Sequence, residues 1–411
     1  MKQLPLDGVR VVDLTMMWAG PFATKLLAEM GADVIKIESS RAWDNIRTLL
    51  PQPDAPEPWN SSYYFAYYNR DKRSVTLDLA HPAGRDLLLR LVAQSDVVIE
   101  NYRADVLDKL DLGYDRLKAA RSDVILVTMA GFGKTGPERD NVGYGPIIEM
   151  ASGLTSLTGY GDDAQPVKCG ISYGDPVGGL MAAGAVALGL VQRRRTGEGV
   201  WVDLSQREAA ATLAGAAFVA ASRRGAEPVH EGNRDPVHAP QGCYRAAGVD
   251  QWLVVTVRSD AEWTALCGVI GRPEAAGLDR AQRRARHDEL DEAIEDWTRH
   301  QDPQAAMEAL QGLGVPAGRV LDMAAVLADP HLNARGFWVD LPQPRMRRPF
   351  PQPASAWRFV EANPTLRSHA PLFGEHNREV LSGLLGVSDA ELALLRAHGV
   401  IADAPLGPQA G

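Results

Sequence analysis

Cysteine is scarce in this chain of 411 residues, which contains three: Cys169, Cys243 and Cys267. No two of them share the Cys-x-x-Cys spacing of thiolate metal sites, and three scattered cysteines do not build a disulfide framework. The nine histidines include no His-Glu-x-x-His pair. The sequence therefore predicts no bound metal and favours a reducing compartment, which we take to be the cytoplasm.

Long apolar runs and an excess of positive charge are also missing. The longest apolar run, residues 176–191, is shorter than the roughly 20 residues of a membrane-spanning helix and predicts a buried helix. Asp7 and Asp13 lie in the N-terminal segment, which excludes a signal peptide pattern there. The net charge of −9 argues against nucleic-acid binding. We therefore expect a protein with no membrane and no nucleic-acid partner.

Two common enzyme motifs are missing as well. The chain has no Gly-x-Ser-x-Gly nucleophile elbow, which disfavours the usual serine hydrolases. Residues 131–136 match the dinucleotide pattern Gly-x-Gly-x-x-Gly, but Pro137 follows directly and residues 138–141 offer no apolar helix face. A P-loop needs a leading glycine where Thr128 stands. We interpret residues 131–136 as a glycine-rich turn after a strand.

The first half of the chain alternates between two hydrophobic periods. Apolar, β-branched runs predict strands, and amphipathic stretches between them predict helices. The predicted strands are 9–14, 33–38, 74–79, 96–100, 123–130 and 200–204, and the predicted helices are 20–30 and 81–94. Strands that alternate with helices are typical of an α/β protein with a parallel, doubly wound sheet.

The composition changes further along the chain. Residues 176–191 and 205–222 are rich in Ala, Leu and Gly and predict long buried helices. A polar loop follows, and then a predicted strand at 252–257 and a charged helical region at 261–313. The predicted domains are a large domain at 1–205, a helical linker at 206–227, a small α+β domain at 228–325, a linker at 326–339 and a C-terminal part at 340–411 that returns to the large domain.

Asp175 stands between Gly174 and Pro176 at the head of an apolar run. Asp followed by Pro predicts a helix start, with Asp as the N-cap and Pro as the first helical residue. A carboxylate at a helix N-terminus is kept ionised by backbone N–H groups and by the helix dipole. It can therefore also act as an oxygen nucleophile without a separate base. The residues alone leave both interpretations open.

Short segments spread along the whole chain carry a further signal in their order and spacing. They are Gly8–Leu14, Ala19–Pro21, Leu27–Glu38, Asn69–Ser74, Val98–Arg103, Gly131–Pro137, Gly314–Gly318, Ala328–Leu332, Gly374–His376 and Gly399–Ile401. Together they resemble the class III CoA-transferases, the family of formyl-CoA transferase, carnitine CoA-transferase and α-methylacyl-CoA racemase. Each segment is a weak signal alone, and the combined pattern is specific.

The resemblance implies both a fold and a chemistry. It implies a Rossmann-like large domain built from both termini, a smaller domain, and two chains interlocked as rings in a homodimer. It assigns Asp175 as the catalytic aspartate, which attacks an acyl-CoA thioester and forms first a mixed anhydride and then an enzyme–CoA thioester. Coenzyme A thioester is then a substrate, and no tightly bound cofactor is expected.

The resemblance also implies candidate residues for binding CoA. Lys72, Arg73 and Arg103 match cationic positions of the family, and cationic side chains, above all the planar guanidinium, suit phosphate groups. Arg41 is a looser candidate, because Glu-Ser-Ser-Arg at 38–41 departs from the usual Glu-Arg-Pro.

The expected acyl pocket is apolar and aromatic. Met16, Met17 and Trp18 precede Ala19-Gly20, where family members place residues that contact the acyl group, and Tyr144 is a further pocket candidate. The tyrosines at 63, 64, 67 and 68 are candidates for an aromatic wall, or for packing alone. Such a pocket suggests an acyl group larger than formyl or oxalyl, such as an aryl- or alkyl-substituted succinate.

Our interpretation is CoA transfer from succinyl-CoA to a dicarboxylic acid, with two alternatives. A 2-methylacyl-CoA racemase of this family uses a His in a Gly-His-Asp segment, whereas this chain has Gly143-Tyr144-Gly145. A tyrosine with a pKa near 10 is a poor base at neutral pH. The other alternative is the catalytic subunit of a transferase that pairs two related subunits.

Overall fold

A six-stranded parallel sheet lies at the centre of the larger of two compact units. The computed structural model describes residues 3–160, 165–224, 230–364 and 366–406. The strands are β1 (Arg10–Asp13), β2 (Asp33–Glu38), β3 (Lys72–Thr76), β4 (Val97–Glu100), β5 (Ile125–Thr128) and β6 (Trp201–Asp203). Their order, β3-β2-β1-β4-β5-β6, is that of the Rossmann fold. The predicted α/β class and Rossmann-like sheet are confirmed.

The remaining elements follow in chain order. The helices are α1 (Ala19–Glu29), α2 (Tyr63–Asn69), α3 (Pro82–Val92), α4 (Val106–Lys109), α5 (Tyr114–Ala120), α6 (Gly145–Ala151), α7 (Gly174–Thr196), α8 (Gln206–Ala211), α9 (Gly215–Arg224), α10 (Asp260–Ile270), α11 (Arg280–Ala285), α12 (His287–Thr298), α13 (Pro303–Gly312), α14 (Met323–Ala328), α15 (Pro330–Ala334) and α16 (Asp389–Ala397). The other strands are β7 (Gln241–Arg245), β8 (Trp252–Thr256), β9 (Ala317–Arg319), β10 (Trp338–Leu341) and β11 (Phe350–Pro353). Strand β3 begins two residues earlier than the hydrophobic pattern predicts.

Alternate residues of each strand enter two separate cores, because side chains of a strand point to opposite faces of the sheet. On one face, Val11, Val97 and Val127 pack with apolar side chains of α1 and α7. On the other, Val12 and Val98 pack with α3 and with C-terminal residues that include 380, 381 and 392. Both faces are therefore covered, and both terminal parts of the chain belong to this unit.

Helix α7 differs from the predicted buried helix. It runs from Gly174 to Thr196, and the small residues of one face lie against α1 so closely that a Cβ at Gly179 would stand 2.6 Å from the Ala19 carbonyl oxygen. The opposite face is open, and Leu188 is 72% exposed. Its 23 residues are long and apolar enough to span a membrane, but one face of the helix packs on protein. In the single chain the prediction of a buried helix therefore holds for one face, because only that face carries small residues that permit close packing.

The predicted helix over 205–222 is also divided. Helices α8 and α9 are separated by a 3-10 turn at Thr212–Ala214. Thr212 and Gly215, both weak helix formers, stand at the break.

The second unit consists of residues 156–167 and 220–333. Its three strands form an antiparallel sheet in the order β7-β8-β9. Leu253, Val255, Trp263, Ile294 and Leu310 are fully buried and form its core. The predicted boundary between linker and small domain falls within residues 225–229, which lie outside the described residues. Composition did not indicate that residues 156–167 belong to this unit.

Candidate active site

The site lies where the strand order changes direction. Strands β1 and β4 are neighbours in the sheet, although β2 and β3 lie between them in sequence. Ligands of such sheets bind outside the carboxyl ends of the strands at this switch point. A cavity of about 340 Å³ opens there. Its lining comprises Met16, Met17, Trp18, Ala19, Asn45, Asn101, Tyr102, Arg103, Ala130, Gly131, Arg139, Asn141, Val142, Gly143, Tyr144, Gly145, Asp175 and Gln206.

The loop after β1 is held by two polar side chains. Asn101, which follows β4, accepts a hydrogen bond from the Met16 N–H and donates one to the Met16 carbonyl, both at 2.8 Å. The Asp44 carboxylate accepts from the Met17 N–H at 2.8 Å. These bonds fix Met17 in the left-handed region, with φ of 64°, which is uncommon for a residue other than glycine. The loop therefore presents Met17 and Trp18 to the cavity in a defined conformation.

Asp175 lies in the first turn of α7 but is not its N-cap. The helix begins at Gly174, and Tyr173 occupies the N-cap position without a side-chain capping bond. The Glu149 carboxylate of α6 instead accepts a hydrogen bond from the Tyr173 N–H at 2.9 Å. The predicted helix start is correct to within a residue or two, and the predicted capping role of Asp175 is wrong because its carboxylate faces the cavity and Ala19.

The protonation of Asp175 reflects its partial burial. Burial raises the pKa of Asp175 to about 6, and a hydrogen bond from the Ala19 backbone N–H lowers it in part. Ala19 is the first residue of α1, so this N–H is one of the free donors at a helix N-terminus. With a pKa of about 6, the Asp175 carboxylate is mostly ionised at pH 7, as predicted. The helix-dipole argument implied a lower pKa.

Helix α6 leaves no room for a side chain beside this carboxylate. A Cβ at Gly145 would stand 1.8 Å from Asp175 Oδ2. A Cβ at Gly174 would stand 2.7 Å from Ile148 Cγ2. The start of α6 is therefore in direct contact with the start of α7.

Of the four candidate tyrosines, Tyr68 approaches the site most closely, although none of the four lines the cavity. Its ring centroid is 5.6 Å from that of Trp18, and a hydrogen bond joins the two side chains. Burial raises the pKa of Tyr68 far above its usual value, and the charge of Asp175 adds to this effect. Tyr63 packs against Phe350. Tyr68 therefore packs against Trp18 and helps to fix the position of its ring.

Arg103 is the one predicted CoA residue that lines the cavity. Its side chain is exposed, and in the described ranges it has no salt bridge within 4 Å. Arg139, which sequence reasoning missed, also lines the cavity and has only its neighbour Asp140 at 3.6 Å. Both guanidinium groups are available to an anionic ligand.

Lys72 is placed differently from the prediction. It is the first residue of β3 and is buried, and its Nζ lies 3.0 Å from Asp13 Oδ2, 2.7 Å from Thr24 Oγ1 and 2.8 Å from Asn69 Oδ1. Burial lowers the pKa of Lys72 to about 8, although the Asp13 carboxylate opposes this shift. An ammonium group has three donors, so none remains for a phosphate. The contacts of Lys72 in this structure do not support the prediction that it binds CoA.

Arg73 and Arg41 do not reach the cavity either. Arg73 is the second residue of β3 and lies at the amino end of the sheet, where it forms salt bridges with Asp33 and Glu379. Arg73 therefore lies away from the carboxyl ends of the strands, where the cavity opens. Arg41 is exposed, with the Asp78 carboxylate at 3.8 Å. Neither arginine lines the cavity, and their contact with CoA remains a prediction.

Several lining residues were not predicted, and Asn101 is the most informative of them. A polar residue directly after the second strand of a switch point is a signal that could have identified it. Asn45, Asn141 and Gln206 carry no such signal, because they come from loops and helices whose positions depend on tertiary packing. The predicted pocket residues Met17, Trp18 and Tyr144 share the cavity with Asp175.

Comparison with known proteins gives matches along nearly the whole chain. The model of CoA-transferase family III matches residues 6–377. The chain is 34% identical to succinyl-CoA–D-citramalate CoA-transferase of Chloroflexus aurantiacus, over 97% of this chain and 98% of that protein. It is 34% identical to succinyl-CoA:mesaconate CoA-transferase of Haloarcula hispanica, over 92% of this chain and 95% of that protein. The crystal structure of a CaiB/BaiF family protein from Brucella suis matches with a TM-score of 0.84 and 33% identity, over 93% of this chain and 100% of that chain.

Proposed function

The chain belongs to CoA-transferase family III, and from this premise we propose that it transfers CoA from succinyl-CoA to a dicarboxylic acid, with Asp175 as the nucleophile. The observation that carries the proposal is the Asp175 carboxylate, ionised at neutral pH, in the wall of a cavity that Met17, Trp18 and Arg103 also line. The two relatives named above are succinyl-CoA-dependent transferases that act on citramalate and mesaconate. Their names support the donor and a branched dicarboxylic acceptor.

The first half of the reaction moves CoA onto the enzyme. A carboxylate oxygen of Asp175 attacks the thioester carbonyl of succinyl-CoA, the C–S bond breaks, and CoA leaves as a thiolate. The product is a mixed anhydride between Asp175 and succinate. The thiolate then attacks the Asp175 carbonyl carbon of this anhydride. The anhydride C–O bond breaks, succinate leaves as a carboxylate, and Asp175 carries CoA as a thioester.

The second half reverses these steps with the acceptor acid. A carboxylate oxygen of the acceptor attacks the Asp175 thioester carbonyl and expels the CoA thiolate, which forms a second mixed anhydride. The thiolate attacks the acceptor carbonyl of that anhydride, and Asp175 leaves as a carboxylate. The activation of the acyl group is kept throughout, and the proposed mechanism requires neither metal nor ATP. Water must be kept away while the intermediates exist.

The cavity supports an acceptor with a small apolar substituent. Arg103 and Arg139 offer positive charge to the phosphates of CoA and to the second carboxylate of a dicarboxylic acid. Met17 and Trp18 offer apolar contact to a substituent on the carbon chain. A substituted succinate fits this combination.

A racemase function is disfavoured by the same cavity. Racemisation in this family needs a histidine facing the aspartate, and the corresponding position in this chain is Tyr144, which lines the cavity. No histidine is among the described residues that line the cavity.

The exposed face of α7 supports the expected homodimer. In the single chain, Leu180, Leu188 and Val191 are exposed on one helix, and large apolar patches of this kind mark interfaces. We expect these residues to be covered by a second copy in an interlocked dimer, located in the cytoplasm, where three unpaired cysteines are stable. Light scattering and activity of the purified chain alone distinguish this assembly from a heteromer, because a heteromeric enzyme requires its partner for turnover.

The decisive experiment is covalent capture. The purified enzyme is incubated with succinyl-CoA, quenched with hydroxylamine, digested and analysed by mass spectrometry. We expect a hydroxamate on the peptide that contains Asp175, and none in Asp175→Asn, which should lose at least about 1,000-fold in kcat. Asp115→Asn, a change at an exposed carboxylate outside the cavity, is the matched control and should behave as wild type. Full activity in Asp175→Asn would refute the assignment.

The pH dependence provides a second test. Because the nucleophile must be ionised and the pKa of Asp175 is about 6, kcat/KM for succinyl-CoA should rise from pH 5 and level off above pH 7. A profile that is flat from pH 5 to 7 would contradict this prediction.

A further inference from the structure

One face of α6 contacts three consecutive residues at the start of α7. Gly145, Ile148 and Glu149 have the i, i+3, i+4 spacing that places side chains on one face of a helix. Gly145 lies against the Asp175 carboxylate, Ile148 against Gly174, and the Glu149 carboxylate accepts from the Tyr173 N–H at 2.9 Å. The segment 173–175 is therefore held at three points by a single face.

The sequence of α7 supplies no side-chain N-cap of its own. Tyr173 occupies the N-cap position, and its side chain makes no capping bond. The first N–H groups of a helix need acceptors, and in a capping box a glutamate of the same helix reaches back to the N-cap N–H. Here Glu149 takes that role from a different helix.

Glu149 is an unusual residue for its surroundings. It is 2% exposed, and no cation lies within 4 Å of its carboxylate in the part of the chain that the structure describes. Burial of a carboxylate without a cation is costly, and an apolar side chain would suit a purely structural position better. The hydrogen bond to Tyr173 is the contact that an apolar residue cannot replace.

We propose that Glu149 is a positioning residue for Asp175: its carboxylate fixes the first residue of the 173–175 segment and thereby aims the nucleophile into the cavity. This inference rests on the proposed function. Asp175 must meet a donor carbonyl, a thiolate and an acceptor carboxylate in turn, so a displacement of its carboxylate affects each of the four steps. Displacements of about 1 Å can cost about 100-fold in rate.

The test compares two changes at one position. Glu149→Leu removes the acceptor, and kcat should fall about 10- to 100-fold while KM for succinyl-CoA stays within about threefold. Glu149→Gln keeps an acceptor oxygen, and kcat should stay within about threefold of wild type. Ser152→Ala is the matched control, because Ser152, the C-cap of α6, donates to the Glu149 backbone carbonyl and not to its carboxylate. It should leave kcat unchanged.

A second pair of variants tests the donor of the same hydrogen bond, the Tyr173 N–H. Its result does not depend on whether Glu149→Leu folds. Tyr173 has φ of −61°, which proline can adopt. Tyr173→Pro removes the N–H, whereas Tyr173→Ala removes the side chain and keeps the N–H. The proline variant should lose about as much kcat as Glu149→Leu, and the alanine variant should not. The double variant Glu149→Leu with Tyr173→Pro should be no slower than either single variant.

The possible outcomes are distinct. A folded Glu149→Leu with wild-type kcat, or a Glu149→Gln as slow as Glu149→Leu, would overturn the proposal. A lower melting temperature with unchanged kcat for the folded enzyme would show a merely structural residue. Failure of the proposed function has a different signature, because the wild-type enzyme itself would then show neither transfer nor hydroxamate on Asp175.

Discussion

Two groups of cationic residues near the parallel sheet have opposite environments. At the carboxyl ends, Arg103 and Arg139 are exposed at a cavity and are free of strong ion pairs. At the other end of β3, Lys72 and Arg73 are held by carboxylates of β1 and β2, within the larger unit. The cationic side chains of Arg103 and Arg139 are therefore open to a ligand. Those of Lys72 and Arg73 already have carboxylates at their donors.

The difference is caused by acidic neighbours and not by the cations themselves. Asp13 is buried and accepts from Thr15, Thr24 and Lys72. No carboxylate lies within 4 Å of Arg103 among the residues that the structure describes. A cation is available to phosphate only where no carboxylate lies within hydrogen-bond distance of its donors, and Asp140 stands 3.6 Å from Arg139.

The largest expected effect is at Lys72. Replacement by Met leaves the buried Asp13 carboxylate without its nearest cation, and the free energy of unfolding should fall by about 3–5 kcal/mol. Urea denaturation followed by circular dichroism measures this loss. The double variant with Asp13→Asn should recover part of the stability. If Lys72→Met keeps normal stability but binds CoA more weakly, Lys72 is a CoA ligand and its environment does not differ in function from that of Arg103.

At the open end, Arg103→Ala should affect binding and not stability. Loss of a charge-assisted hydrogen bond to phosphate costs roughly 1.5–3 kcal/mol, so Kd for CoA should rise by about tenfold or more. Isothermal titration calorimetry with CoA checks this. Arg116→Ala, at an exposed arginine outside the cavity, is the control. An unchanged Kd would show Arg103 to be an ordinary surface residue.

Glu100 provides a buried carboxyl group at the carboxyl end of β4, without a salt-bridge partner in the described part of the chain. Its Oε1 has no hydrogen-bond partner among the described residues, and burial raises its pKa from 4.5 to about 8. The folded state therefore holds a proton that the unfolded state releases, and stability falls as pH rises through this window.

Glu100→Gln removes this titration. Relative to wild type, the free energy of unfolding of the variant should increase by roughly 1–3 kcal/mol between pH 5 and pH 7. Melting temperatures measured across that range test the prediction. A difference that does not change with pH would show that Glu100 is ionised throughout.

The smallest effect is expected at Arg73. Its salt bridges are partly exposed, so Arg73→Ala should lower the free energy of unfolding by about 0.5–1 kcal/mol. The Kd for CoA should not change, and a clear increase in Kd would place CoA at the amino end of the sheet.

The sequence by itself determined the six strands of the parallel sheet, its α/β class and the identity of Asp175 as the residue to test. These features depend on local periodicity and on a residue pattern, and β2 occupies the predicted residues 33–38. Helix α7 was predicted as well, but which of its faces is buried was not, because that depends on the small-residue contact with α1.

Only the tertiary structure decided the environments of the charged residues. Asp13 and Lys72 are 59 residues apart in sequence, and Glu149 and Tyr173 are 24 apart, so no local pattern indicates these contacts. The shifted start of β3 likewise moved Lys72 and Arg73 from a loop into the amino end of a strand. The sequence shows which side chains can carry a charge. Their partners and their pKa values depend on the distant residues that the fold brings within a few ångströms of them.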